Sequence, residues 1–169
     1  LMLANGDTVA ASNWAKEQSF IGKNFAFRPY FQQAIQGQLG RYYAVGTTSN
    51  ERGYYFAYPI SDEEDRSLGV ITVKVNVAEI EALWQSAPIK FLVTDSEGII
   101  FLASDSEWLF KTIKPLPELR RQAIRDVKRY LEKPLMPLED FRLVALNPSY
   151  QQAWLKNQSY LLAERNMET

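Results

Sequence analysis

Three stretches of strict two-residue alternation dominate the first half of the chain, and they predict an antiparallel meander. In Leu68–Val77, Ile71, Val73, Val75 and Val77 fall on one side and Val70, Thr72, Lys74 and Asn76 on the other. In Arg41–Thr47, Tyr43, Val45 and Thr47 alternate with Tyr42, Ala44 and Gly46. In Gly53–Pro59, Tyr54, Phe56 and Tyr58 alternate with Tyr55 and Ala57. Turn residues separate the three stretches, as expected between short strands. One separator, Asp62-Glu63-Glu64-Asp65, lacks the glycine and spaced ligands of a calcium loop and reads as a solvated hairpin turn. Before the meander, Pro29 to Gln36 predicts a short helix ended by Gly37 and Gly40; after it, Ala78–Trp84 predicts a helical link.

A second pattern repeats along the chain. Leu1 to Ser12 runs from apolar residues through the polar turn Asn5-Gly6-Asp7 to Ala-Ser, and Phe91 to Ser104 does the same through Asp95-Ser96-Glu97-Gly98. From Gly6 to Ser12 and from Gly98 to Ser104 the spacing is identical, a shift of 92 residues, and Trp14 and Trp108 follow. Each segment is a hairpin signal, and the equal spacing suggests two copies of one module. The second copy continues with a helix over about Leu116 to Glu132, its apolar stripe being Leu119, Ala123, Val127 and Leu131. Arg120, Arg121, Arg125, Lys128 and Arg129 fit a solvated face of that helix. Pro134 and Pro137 break the chain, and Tyr160–Glu164 predicts one further strand, leaving no room for three later strands as in the first copy. The chain opens at Leu1 in strand-like sequence and is expected to be a fragment cut at both ends.

Composition narrows the chemistry. With 19 Lys plus Arg against 20 Asp plus Glu, no general basic surface is available for nucleic acid. The absence of Cys removes disulfide and thiolate chemistry, and the absence of His removes the commonest general base and metal ligand. No apolar run in this sequence has the length of a membrane span, and no stretch of it has the pattern of a signal peptide. Nucleophile elbows, phosphate loops and metal-spaced clusters are also missing, so no catalytic or metal-ligating residue is nominated.

Aromatics carry the remaining signal. Phe20 to Tyr58 holds 11 of the 22 aromatic residues, threaded with cations and hydroxyls, which suits the wall of a pocket for a small polar anion. Both faces of the meander strands carry aromatics, so both are expected to be covered. Lys74 on a covered face would then need an anionic partner. Arg28, just before Pro29, fits either a structural ion pair, a cation–π contact with Phe27 or Tyr30, or bidentate recognition of a carboxylate. Thr47, Thr48 and Ser49 follow Gly46 at a strand end, where hydroxyls and backbone N–H groups can converge on an anion, or simply form a loop. Two cations on separate elements would suit a ligand with a carboxylate at each end, and a monocarboxylate would leave one of them unpaired.

Ala-Ser-Asn-Trp (11–14), Ser-Phe-Ile-Gly-Lys-Asn-Phe (19–25), Phe-Arg-Pro-Tyr-Phe (27–31), Gly-Arg-Tyr-Tyr-Ala-Val-Gly-Thr-Thr-Ser (40–49), Arg-Gly-Tyr-Tyr-Phe (52–56) and Gly-Val-Ile-Thr-Val-Lys-Val (69–75) closely resemble the periplasmic sensor region of DctB-type dicarboxylate sensor histidine kinases. The second half resembles that family more loosely, through Leu-Val-Thr-Asp-Ser-Glu-Gly (92–98) and Ser-Glu-Trp-Leu-Phe-Lys-Thr (106–112). The resemblance implies an α+β fold of tandem PAS-like (Cache/PDC) modules, each an antiparallel sheet flanked by helices. Residues 1–83 would be the membrane-distal, ligand-binding module and 84–169 an incomplete membrane-proximal one. By the same resemblance Arg28, Tyr30, Thr47, Thr48, Ser49 and Lys74 fall where the family holds succinate, fumarate or malate, with Tyr43 and Tyr55 as further candidates. It also implies a homodimer formed through an N-terminal helix outside this sequence, and placement in the periplasm as part of a bacterial inner-membrane protein. A kinase region, likewise outside it, would use ATP and engage a response regulator. The chain itself would need no cofactor and would not be an enzyme.

Two other readings compete with it. A Cache module of a chemoreceptor or cyclase would take another small carboxylate; an amino acid would need a carboxylate for its ammonium, and the aromatic segment offers only Glu51. An enzyme acting on a small carboxylate would have to use a carboxylate or Tyr as its base or nucleophile.

Overall fold

The computed structural model describes residues 1–84, 89–147, 150–155 and 158–162. The predicted meander is present: β2 (Gly40–Val45), β3 (Arg52–Ser61) and β4 (Ser67–Asn76) pair in antiparallel order. The hairpin at the start of the chain contributes β1 (Met2–Leu3), which pairs with β4 through Met2 opposite Val70, giving the order β1-β4-β3-β2. Helix α1 (Pro29–Ile35) starts where proline's missing N–H costs nothing, and it buries Tyr30, Phe31 and Ala34 against the sheet. The Asp62 turn is solvated as expected, with the Asp62 carboxylate accepting from the backbone N–H groups of Glu64 and Arg66.

The two faces of this sheet differ from expectation. The face bearing Val70, Thr72 and Lys74 is the inner one, under α1, whereas Ile71, Val73 and Val75 stand exposed, Val73 at 59%. Among the described residues, only the β2 end of that outer face is covered. There Tyr43 and Val45 join a core with Val77, Ile99, Phe101, Ile124 and Tyr130 from the second half, and Phe56 and Tyr58 remain exposed. Alternation had correctly separated the faces, but the expectation that both are covered fails over most of the sheet.

Helix α2 (Val77–Trp84) follows β4 directly, and the second hairpin pairs β5 (Leu92–Thr94) with β6 (Ile100–Ala103). The two hairpins share their layout but not their surroundings, since Trp14 is exposed and Trp108 is buried. Helix α3 (Glu118–Asp126) is shorter than the predicted span, and its stripe is shifted: Leu119 is 81% exposed, while Ile124 is buried. The carbonyls that would continue the helix are taken elsewhere. Those of Val127 and Lys128 accept from Arg28, that of Arg129 accepts from the Val45 N–H, and Lys128 and Leu131 take positive φ. Arg120, Arg125 and Lys128 are solvated as expected, but Arg121 and Arg129 are tied into the fold. Beyond α3 the structure departs again from expectation. Instead of one strand there are three, β7 (Arg142–Asn147), β8 (Tyr150–Leu155) and β9 (Gln158–Leu162), paired as a meander. Residues 163–164 of the predicted strand lie outside the described residues.

Candidate ligand-binding site

The inner face of the first sheet opens into a cavity of about 790 Å³ between the opening hairpin, α1 and the turn after β2. Register builds one wall: Tyr55 on β3 lies opposite Lys74 on β4, and Gly53 opposite Asn76. The Lys74 stem runs across Gly53, where a Cβ would come within 2.5 Å of its Cε, so only glycine lets the chain lie flat. Its ammonium then reaches Ser49 Oγ at 3.0 Å and Glu51 Oε2 at 3.3 Å. The turn presenting those groups closes through Asn50 N–H to Gly46 O at 2.8 Å and Gly46 N–H to Glu51 O at 2.9 Å. A Cβ at Gly46 would lie 2.6 Å from Ser49 Oγ, so this glycine too is set by close approach.

Arg28 forms the opposite side, at the entry to α1, with its side chain 2% exposed. Its Nη2 donates to Val45 O at 2.9 Å and its Nη1 to Lys128 O at 3.1 Å and Val127 O at 3.4 Å. The guanidinium also lies 5.2 Å from the centre of the Phe27 ring. No carboxylate pairs with it among the described residues. A buried guanidinium held by neutral carbonyls and a ring face, with no carboxylate, favours an anion in the adjoining cavity. Between the cations, Tyr30 and Tyr55 stack with centroids 5.1 Å apart and planes at 6°. Burial raises both phenol pKa values above the ordinary 10.0, with Arg28 pulling in the other direction, so both stay neutral donors at ordinary pH.

The structure therefore gathers Arg28, Tyr30, Thr47, Thr48, Ser49, Tyr55 and Lys74 around one cavity. Tyr43 is the exception and a correction: its side chain is on the opposite face, stacked on Phe101 at 4.2 Å in the core shared with the second half. Neighbouring strand residues point opposite ways, and the inward one of the Tyr42–Tyr43 pair is Tyr42. Thr8, Thr72 and Glu51 also line the cavity and were not nominated. Thr72 was legible, since alternation places it on the Lys74 face, whereas Thr8 arrives only because the opening hairpin folds beside β4. Among the described residues no cluster of three or more potential ligands could hold a metal ion.

No family model matches the chain. It is 42% identical over 164 residues to the C4-dicarboxylate transport sensor protein DctB of Pseudomonas aeruginosa, an alignment covering 97% of this chain and 25% of that protein. To DctB of Rhizobium meliloti it is 38% identical over 144 residues, covering 85% of this chain and 23% of that protein. The solved DctB sensor domain of V. cholerae matches with a TM-score of 0.84 at 36% identity, covering 99% of this chain and 66% of that one. The chain belongs to the DctB sensor family. It spans about a quarter of the length of the curated DctB relatives, and what it matches among solved structures is the sensor domain, not a catalytic region. The α+β, Cache/PAS-like architecture of the DctB sensor is the one described above. The ligand-binding domain of the Campylobacter jejuni chemoreceptor Tlp3, at 17% identity and a TM-score of 0.59 over 95% of this chain and 57% of that one, shares the fold alone. No described helix is long and apolar enough to cross a membrane.

Proposed function

We propose that this chain is the periplasmic ligand-binding region of an inner-membrane sensor histidine kinase, and that it binds four-carbon dicarboxylates such as succinate, fumarate or malate. The observation that carries the reading is Arg28, a buried guanidinium with no carboxylate partner among the described residues, on the wall of a cavity that Lys74 also lines. One ligand carboxylate meets Arg28, and the other meets Lys74 with the Ser49 and Thr48 hydroxyls. Tyr30 and Tyr55 donate from the side. Charge-assisted contacts at both ends favour dianions, because a monocarboxylate gains only one of them. An affinity of roughly micromolar to sub-millimolar suits such a sensor.

In this reading residues 1–83 form the membrane-distal, ligand-binding module and 84–169 the membrane-proximal one. Arg28 links them, because it holds the Val45 carbonyl of the first and the Val127 and Lys128 carbonyls of the segment after α3. A carboxylate that draws the guanidinium toward the cavity therefore acts on that segment, a differential contact through which binding biases one arrangement of the modules over another. Dimerisation through an N-terminal helix, ATP-dependent kinase activity and a response-regulator partner belong to the longer protein and complete the proposal.

Calorimetric titration with succinate, with acetate as control, tests it. The expected result is saturable succinate binding that is lost in Arg28→Ala and Lys74→Ala and absent for acetate. Succinate binding that survives both substitutions would place the site elsewhere. A second reading, a Cache module for a zwitterionic ligand, draws on Glu51, a cavity carboxylate able to meet an ammonium group. Saturable binding of an amino acid without succinate binding would favour it.

A further inference from the structure

The carboxylate nearest Lys74 is supplied by the protein itself. Glu51 Oε2 stands 3.3 Å from Lys74 Nζ, at the cavity mouth, with its side chain 63% exposed and that of Lys74 18% exposed. The contact is built into the turn. The Glu51 carbonyl accepts from Gly46 N–H at 2.9 Å, and the Glu51 N–H donates to Ser49 Oγ at 3.4 Å, the same hydroxyl that Lys74 reaches. The negative charge is felt further in: Glu51 adds to the upward shift of the Tyr55 phenol, after burial and against Arg28.

We propose that Glu51 is a specificity-determining residue of the site, a resident competitor that occupies Lys74 until a ligand carboxylate displaces it. The inference rests on the dianion reading above. Two consequences follow from one charge. Displacing Glu51 weakens every ligand, because the incoming carboxylate must match a contact already made and then sit near a second negative charge. Selectivity rises at the same time, since a ligand anchored only at Lys74 gains little by exchanging one carboxylate for another. A dianion held at Arg28 brings its second carboxylate to Lys74 at high effective concentration and wins the exchange. Glu51 is exposed and pairs only at the surface of the fold, so its substitution leaves folding intact.

The test is calorimetric titration of four versions of the chain with succinate and with acetate: wild type, Glu51→Gln, Lys74→Ala and the double variant. Glu51→Gln is expected to bind succinate roughly threefold to tenfold more tightly, the scale of one nearby charge in a largely wet site. It should also gain measurable acetate binding, and its effect should vanish in the Lys74→Ala background. Unchanged or weaker succinate binding in Glu51→Gln, with wild type binding normally, overturns the inference and leaves the dianion reading standing. So does an equal gain without Lys74, which would reduce Glu51 to a general charge. If wild type binds L-alanine and Glu51→Gln does not, Glu51 is an ammonium ligand and the inference falls. If neither wild type nor Glu51→Gln binds succinate, the dianion reading fails and takes this one with it.

Discussion

The cavity on the inner face of the first sheet and the joint on its outer face each hold an arginine, buried at the cavity and partly buried at the joint, and they treat it in opposite ways. At the joint, Arg52 meets Glu81 through both oxygens, with Nη1 to Oε1 at 2.7 Å, and Glu81 also accepts from the Ala103 N–H at 3.1 Å. That contact raises the Arg52 pKa above its ordinary value, chiefly through the hydrogen bond to Glu81. Arg129 is matched there as well, by Asp95 at 3.1 Å. On the cavity side Arg28 has carbonyls and the Phe27 ring but no carboxylate among the described residues. A buried cation with its own carboxylate is part of the scaffold; one without is poised for a carboxylate from outside. In the proposed reading, that difference between the two arginines marks the cavity as the binding region and the joint as structure.

The largest effect should come from breaking the joint. Glu81→Ala leaves the partly buried Arg52 with the Phe101 carbonyl but no carboxylate; breaking a fully buried pair costs about 3–5 kcal/mol and this one somewhat less, so the melting temperature should fall by roughly 5–10 °C. A melting temperature that does not move would mean that the joint contributes nothing its partners cannot replace. Next in size is Arg28→Lys, which keeps the charge and loses the fork. Succinate affinity should drop at least about tenfold, with a smaller loss of thermal stability than Glu81→Ala. If it instead binds succinate normally and melts as low as Glu81→Ala, Arg28 is scaffold like Arg52 and the comparison collapses.

Gly53→Ala is a finer probe. The added methyl would press on Lys74 Cε and Cγ, at 2.5 and 2.8 Å, and lift the ammonium from Ser49. Succinate affinity is expected to fall several-fold, by about 1 kcal/mol of charge-assisted hydrogen bonding; an unchanged dissociation constant would detach binding from the Lys74 pose. The smallest effect concerns the phenols on both sides. Tyr30 and Tyr55 at the cavity and Tyr43 and Tyr130 at the joint all have raised pKa values, with burial the largest cause in each. Above the unfolded value of 10.0 an unfolded chain releases these protons while the folded one keeps them, so stability present below that value declines as pH rises. Ultraviolet titration should show tyrosinate from these residues only alongside unfolding; early ionisation of the cavity pair alone would reveal water that the joint excludes.

The meander was readable because β2, β3 and β4 alternate cleanly between turn residues, and α1 because Pro29 opens it. The inward direction was not readable. Alternation separates Tyr42 from Tyr43 but does not say which meets the core, and Tyr43 turned outward against Phe101. Nor was the end of α3 legible, since the donors that take up its following carbonyls belong to Arg28 and Val45, about a hundred and about eighty residues earlier along the chain. Of the site, the two cations and the hydroxyl turn stood out by residue type. The placing of Glu51 against Lys74 needed the β3–β4 register and the bend at Asn50, which takes positive φ.

The most direct test of the difference between the two arginines is a crystal structure of the chain with succinate bound. A carboxylate oxygen about 3 Å from the Arg28 guanidinium, with the other carboxylate at Lys74, is the predicted result. Succinate bound elsewhere, with Arg28 still held by carbonyls alone, would contradict it.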